Sequence, residues 1–358
     1  MLRVYYKAMM APMTQPLQSI CVLRLSAVGD VCHAVATVQA LQRHLPDSAI
    51  TWVVGKNEAG LVGDLAGIDV VIYDKRRGWA GMREVRRQTR AGFDVLLHMQ
   101  LSLRANLLAA MIPAKEKWGF PRVLSKELHS LVVNRRVGMP ARPHVLESFQ
   151  HFAYALGVPP FKPHWDIPVP AADRAWVTAQ LAGSSPYVVI APSASNPERN
   201  WLADRYAALA EHAAAKGFQV VLTGSPAARE IEFSAAIARA SRARVIDLTG
   251  KSSLKQLLAL VADAAVVVAP DSGTAHLAVT QGTPVVGLYA HSNPRRTGPY
   301  SCSHLTLDAY TPGLANSRGQ TPDTVRWGTR LKGAGLMSAI TLTEVLARFD
   351  LALEEQMT

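Results

Sequence analysis

The sequence predicts an α/β protein built as two domains, each a layered parallel sheet with helices. Three observations carry that expectation. The chain has 358 residues, room for two ordinary domains. It is 49% hydrophobic and 18% charged, a globular composition. From Ile20 onward short β-branched runs alternate with stretches of helical apolar period, which is how parallel α/β layers read.

Residues 1–18 contain Arg3 and Lys7 but neither an apolar core nor a small-residue cleavage site, so they read as an N-terminal tail or an upstream start before Met10 or Met13. The first domain is expected over 19–165. Its strands fall at 20–25, 50–54, 70–73 and 95–97. Val31, Val35, Val38 and Leu41 mark one face of a helix ending near His44. The segment 165–170, with two prolines and no helical pattern, reads as a linker.

A second alternating series fills the domain expected over 166–340. Strands are expected at 187–191, 219–223, 244–248, 265–269 and 284–289, with helices near 204–216, 227–240, 253–262 and 273–281. Gly217 sits where a helix-ending glycine belongs, and Ser252 or Ser253 suits a helix N-cap. A last helix, 341–358, is expected to pack across the domain joint. Two such domains on a short linker leave a cleft lined by the carboxyl ends of both sheets.

Composition excludes several classes. The longest apolar runs, such as 264–269, fall far short of the ~20 residues that a membrane-spanning helix needs. Cys21, Cys32 and Cys302 form no CxxC pair and leave an odd thiol, against a disulfide framework or a zinc site and in favour of a reducing cytosol. No GxGxxG follows the first strand, and no P-loop, HExxH or GxSxG occurs. No Asp-x-Asp is present, which removes the simplest carboxylate arrangement for holding a metal against a diphosphate. The formal net charge is +11, and it is uneven: 22 Lys and Arg face 13 Asp and Glu in residues 1–180, against 16 and 14 in 181–358. The front half is therefore expected to meet an anionic partner.

Four segments carry candidate chemistry. In Arg24-Leu-Ser-Ala-Val-Gly-Asp30-Val, Gly29 is expected to let the backbone turn sharply, and Asp30 to sit at a helix N-terminus as a general base or as a plain N-cap. In Pro270-Asp271-Ser-Gly-Thr-Ala-His276, the N–H groups of Ser272, Gly273 and Thr274 form an anion site at a helix start suited to a diphosphate, with Asp271 and His276 beside it. Ser193, Ser195 and Arg199 follow the first strand of the second domain, where hydroxyls and a cation suit a phosphate or a carbohydrate. The basic set Lys75, Arg76, Arg77, Gln100, Arg104, Arg135 and Arg136 suits an anionic acceptor. Arg83, Arg86, Arg87 and Arg90, spaced by three and four, read as the solvated face of one helix.

The Arg24 to Val31 and Pro270 to Ala278 motifs together, with Val220-Val-Leu-Thr-Gly224, Leu248-Thr-Gly-Lys-Ser-Ser253 and Gly282-Thr-Pro-Val-Val-Gly-Leu-Tyr289, resemble the ADP-heptose:lipopolysaccharide heptosyltransferases of glycosyltransferase family 9. The resemblance runs from about residue 20 to 289. It implies a GT-B architecture, two Rossmann-like domains with parallel sheets facing a central cleft, and an inverting transfer that needs neither metal nor cofactor. It makes Asp30 the general base. Ser193, Ser195, Gly224, Asp271, Ser272, Gly273, Thr274 and His276 would hold the donor ADP-heptose.

Arg199 stands just before Trp201 where many members have lysine, and would stabilise the departing diphosphate. Lys75, Arg76, Arg77 and Arg104 fall where relatives place cations for acidic Kdo sugars, with Gln100 and Arg136 joining that acceptor set. After Gly224, where some members present an acidic residue to the ribose, this chain has Ser225-Pro-Ala-Ala-Arg229. The segment 290–298, with Arg295 and Arg296, either reaches the donor phosphates or is a surface loop. The implied partners are ADP-heptose, an anionic glycolipid and the inner face of the cytoplasmic membrane of a Gram-negative bacterium, met peripherally, without nucleic acid. Two alternatives stand beside this: a GT-B enzyme with another sugar nucleotide or acceptor, and a non-catalytic protein binding an anionic surface or a nucleic acid.

Overall fold

The computed structural model describes residues 17–181, 183 and 185–357. The tail expected over 1–18 lies outside the described residues apart from its last two, and those are fixed: Leu17 is buried, and Gln18 N donates to Asp94 Oδ2 at 2.9 Å. The chain divides into two compact units between Pro168 and Val169.

The first unit holds a six-stranded sheet in the order β3-β2-β1-β4-β5-β6, every pair parallel. Its strands are β1 (Ser19–Leu23), β2 (Ala49–Gly55), β3 (Ile68–Tyr73), β4 (Phe93–His98), β5 (Ala114–Gly119) and β6 (Arg135–Arg136). The last two carry lysine, glutamate and arginine in place of a β-branched run, which is why composition hid them. The main helices are α1 (Val28–His44), α2 (Gly78–Gln88), α3 (Leu103–Met111) and α4 (Val145–Ala155). Strands β1 and β4 are buried on both faces, as a helix-covered parallel sheet requires. Each Val or Leu so buried contributes roughly 1.5–3 kcal/mol relative to exposure. Arg83, Arg86 and Arg87 do lie on the exposed side of α2. Residues 165–166 of the expected linker are tied to this unit: Trp165 Nε1 donates to the Cys32 carbonyl at 2.7 Å, and Gln39 bonds both backbone groups of Asp166.

The second unit repeats the plan in the order β12-β11-β10-β7-β8-β9. Its elements are α5 (Ala171–Gln180), β7 (Tyr187–Ile190), α6 (Ala203–Ala215), β8 (Gln219–Leu222), α7 (Ala228–Ala240), β9 (Val245–Asp247), α8 (Leu254–Ala262), β10 (Val267–Pro270), α9 (Gly273–Thr280), β11 (Val285–Tyr289), β12 (Leu307–Asp308), α10 (Tyr310–Arg318) and α11 (Leu342–Met357). Ser253 caps α8 in a reciprocal pair with Gln256, and Gly217 follows α6 at φ +88°. The last helix, expected across the joint, packs on α6, β11 and the turn Tyr300–Leu305 of its own unit. Buried Trp201 ties the chain before it, donating to the Ile340 carbonyl at 2.9 Å.

Candidate functional site

In each sheet the strand order reverses once, between β1 and β4 in the first unit and between β7 and β10 in the second. The loops leaving those strands diverge there, and an α/β sheet opens its binding crevice at that point. Both halves of the predicted machinery fall at these two places.

In the first unit Asp30 is the third residue of α1, whose cap is Ala27. The N-cap alternative for Asp30 is thus corrected, and so is the role given to Gly29, which lies inside the first helical turn with no positive φ. The turn from strand to helix is made by residues 24–27 instead. Asp30 Oδ2 takes an ion pair from Arg24 Nη2, while Arg24 Nη1 donates to the Met99 carbonyl at 2.6 Å and the guanidinium lies 5.2 Å from the Phe149 ring centre. Burial pulls the Arg24 guanidinium below its ordinary value, and Asp30 opposes that pull. About a third of the Asp30 side chain remains open to solvent, against a tenth of Arg24. The arrangement leaves a carboxylate aimed outward and fixed from behind.

Gln100 also serves this loop: its Oε1 accepts from Leu25 N at 2.7 Å. Predicted as an acceptor contact, its amide is used to hold the backbone before Asp30. Lys75, Arg76 and Arg77 sit together on an exposed turn after β3, with Asp74 accepting from Arg76 N at 3.0 Å. Arg104 is exposed in the first turn of α3, and its charge is felt at Tyr73, joining it to the end of β3. Arg136 lies apart from these, three strands from β1 on the edge strand β6, donating to the Ser130 carbonyl at 3.3 Å.

In the second unit Arg199 Nη1 stands 3.3 Å from Asp271 Oδ2, and Ser292 Oγ donates to the same oxygen at 2.6 Å. These residues line a small recess with Tyr289, His291 and Met337. Burial lowers Arg199, and Asp271 counters it. The segment 290–298 is no surface loop at its start, since His291, Ser292 and Asn293 are buried; Arg295 is exposed.

Ser272 caps α9 by position, yet its hydroxyl makes no capping bond. Four buried side-chain atoms find no hydrogen-bond partner here: Ser193 Oγ, Thr223 Oγ1, Ser272 Oγ and His291 Nε2. Each follows the carboxyl end of a different strand, β7, β8, β10 or β11. Native structures seldom leave such groups unsatisfied, so a cluster of them marks a place built for a polar ligand. Gly273 and Thr274, both half-buried, open α9, and His276 is buried one turn in. Ser195 is exposed, and its carbonyl is held by Arg229 Nη2 at 2.6 Å.

Gly224 leaves no slack: a Cβ there would come 3.1 Å from Glu230 Oε2. That carboxylate is buried and accepts from Ser225 N at 2.8 Å. An acidic residue thus stands one position after 225–229, in the first turn of α7. A second carboxylate unseen in the sequence is Glu58, which burial pushes up while Lys75 and Arg24 draw it down. An isolated glutamate among surface-type residues gives no sequence signal of either position. Among the described residues no cluster of three His, Cys, Asp or Glu could hold a metal ion. A separate hollow of about 350 Å³ beside Pro186, Asp263 and Gln281 opens at the amino-terminal end of the second sheet, away from all of these groups.

Comparison with known proteins places the chain in a family. The sequence matches the profile of glycosyltransferase family 9 (heptosyltransferase) over residues 82–320. It is 40% identical over 336 residues to the lipopolysaccharide core heptosyltransferase OpsX of Haemophilus influenzae, covering 94% of this chain and 97% of that one. The solved Escherichia coli ADP-heptose lps heptosyltransferase II superposes with a TM-score of 0.73 at 22% identity, over 95% of this chain and 100% of that one. The Escherichia coli heptosyltransferase WaaC with ADP gives 0.72 at 20% identity, over 94% and 100%. The last two establish the GT-B fold, and the sequence matches establish the family: this chain belongs to glycosyltransferase family 9 and is a heptosyltransferase.

Proposed function

We propose that the protein transfers a heptose from ADP-heptose to an anionic inner-core acceptor of lipopolysaccharide, Kdo-lipid A or a heptosylated core, with inversion and without a metal ion. The observation that carries this reading is the row of unsatisfied Ser193, Thr223, Ser272 and His291 atoms after the carboxyl ends of four neighbouring strands, β7, β8, β10 and β11, with α9 starting after β10. A diphosphate there would receive hydroxyls and the backbone donors of Ser272, Gly273 and Thr274, with Arg199 neutralising charge. Glu230, a buried carboxylate beside Gly224, suits the hydroxyls of a ribose.

In the first unit Asp30 takes the proton of the acceptor hydroxyl. The oxygen's electron pair then forms the bond to C1 of the heptose, and the C1–O bond to the diphosphate breaks with its electrons leaving on ADP. That departure adds negative charge at the amide donors, so they stabilise the transition state more than the ground state. Arg24 keeps the base aimed. Lys75, Arg76, Arg77 and Arg104 supply the cations for the acidic sugars. Acting on a membrane-borne glycolipid, the enzyme would work peripherally at the cytoplasmic face of the inner membrane. No helix among the described residues is long and apolar enough to cross a membrane.

The test is transfer in the presence of a chelator, from ADP-heptose and from UDP-sugars, with the product's anomeric configuration read by NMR. Asp30→Asn should lose about 10²–10⁴ of kcat, the scale of a general base, while ADP binding changes less than twofold. Full turnover by Asp30→Asn, or preference for a UDP-sugar, overturns the reading.

A further inference from the structure

Seven of the eight large apolar side chains exposed on this protein, among its described residues, belong to the first unit, and five of them lie within residues 103–131. Leu103 and Leu107 stand one turn apart on α3 at 49% and 37% exposure, and Val123, Leu128 and Leu131 are 81%, 63% and 78% exposed. Scattered singly such residues need no explanation, but Leu103, Leu107, Leu128 and Leu131 belong to two segments that touch. Glu127 Oε2 accepts from Leu103 N, Asn106 Nδ2 donates to the Glu127 carbonyl, and α3 packs on the turn His129–Val132. The apolar groups therefore share one face.

That face is held rigidly rather than left loose. Glu127 and Leu128 both have left-handed backbones, φ 51° and 69°, an unfavourable state for a leucine that must be sustained by its surroundings. The support lies beneath: buried His129 accepts from Phe120 N at 3.1 Å and approaches Asn106 Oδ1 at 3.3 Å, while His98 Nε2 meets the same oxygen at 2.8 Å. A buried polar platform thus pushes Leu128 and Leu131 outward.

The exposed charges around the face are mostly positive, Arg104, Arg122 and Lys126 against the one carboxylate of Glu127. Arg122 and Lys126 are exposed between the apolar groups, and the nearby Glu127 carboxylate is turned in to the start of α3. Apolar tips among cations, in the half of the chain that carries most of its positive charge, complement a surface offering hydrocarbon beneath anionic headgroups.

We propose that residues 122–131 with the outer face of α3 form the membrane-docking surface, seating Val123, Leu128 and Leu131 in the headgroup layer of an anionic bilayer. This deepens the peripheral attachment proposed above and rests on it. It concerns where the protein touches the lipid, and none of these three residues belongs to the transfer machinery.

The test is co-sedimentation of the full chain with phosphatidylglycerol vesicles and with phosphatidylcholine vesicles, neither containing lipopolysaccharide. Wild type should bind the anionic vesicles at least tenfold more tightly, with affinity falling as salt rises. The double variant Leu128→Ser, Leu131→Ser should lose at least tenfold in vesicle affinity, Arg122→Gln with Lys126→Gln a similar factor, and Ile231→Ser in the second unit nothing. Thermal unfolding of each variant, and transfer to a deacylated, water-soluble acceptor, should match wild type; that transfer failing in wild type would instead sink the sugar-transfer reading. Vesicle binding unchanged in the leucine variant, or binding that appears only when lipopolysaccharide is added to the vesicles, overturns the docking surface.

Discussion

The Arg199 guanidinium lies 3.3 Å from the Asp271 carboxylate, with only 12% of either side chain exposed. The pair joins the turn after β7 to the end of β10, the two strands that flank the reversal of the second sheet. Ser292 adds a hydroxyl to the same carboxylate oxygen, so Asp271 is engaged from two sides before any ligand arrives. Asp271 therefore aims Arg199, which in the proposed reading meets the phosphates together with the α9 amides.

Removing either partner should therefore give unequal results. Arg199→Ala deletes a cation and also bares a desolvated carboxylate against an incoming diphosphate, so ADP affinity should fall about 10²-fold, or roughly 2.7 kcal/mol. Asp271→Asn keeps the cation and should cost clearly less. In the double variant, part of the Arg199→Ala loss should return, because the repulsive charge is gone. Titration calorimetry with ADP reads all three. An Arg199→Ala protein that binds ADP like wild type would move the diphosphate elsewhere.

Ser272 permits a cleaner separation of binding from stability. A capping serine replaced by alanine ordinarily costs about 0.5–2 kcal/mol of stability, but the Ser272 hydroxyl makes no capping bond and has no other partner. Ser272→Ala should leave the melting temperature unchanged or slightly raised. ADP affinity should fall about tenfold, the worth of one hydrogen bond to a charged group. A lowered melting temperature with ADP binding intact would make the hydroxyl structural.

What the sequence disclosed and what it hid divide along physical lines. Strands such as β1, β7 and β10 are buried on both faces, so they must be continuous apolar runs and were visible as such. β6 at the sheet edge and β5 beside it, with Lys115, Lys117 and Arg135 along them, needed no such run and were invisible. The motif residues Asp30, Arg199 and Ser272 were legible because each follows a strand end. Their supports were not. Arg24 acts through a carbonyl 75 positions away, Glu230 through a backbone N–H, and Ser292 through a carboxylate 21 positions back. Gln100 shows the same limit from the other side: its bond to the backbone of Leu25 could not be read from the sequence, which offered only a polar side chain for the acceptor. Side chains that position others carry no local spacing, and only the folded chain brings them into view.

The platform beneath residues 127–131 should make the protein sensitive to mild acid. Burial, with His129 and its charge second, brings His98 down to about 3 from an ordinary 6.5, and burial, with the nearby Arg136, brings His129 down to about 4. His151 is lowered by burial as well. Above pH 6.5 these rings are neutral in both folded and unfolded chains and contribute no pH dependence. Below it the unfolded chain takes up protons that the folded one refuses, so stability is lost as pH falls toward 4. The slope is at most about 1.4 kcal/mol per pH unit for each ring.

Asp94, held at about 2 chiefly by Lys115, acts in the same direction but only below its ordinary 3.8, and Glu58, raised by burial, acts in the opposite direction. The window from pH 6.5 to 5 therefore reports mainly the histidines. Urea unfolding of wild type should show a falling midpoint across it, and His98→Phe, whatever its fixed cost from the lost Asn106 bond, should show a shallower fall. Equal slopes in the two proteins would mean that His98 accepts a proton in the fold, and that the platform is built on a charged ring.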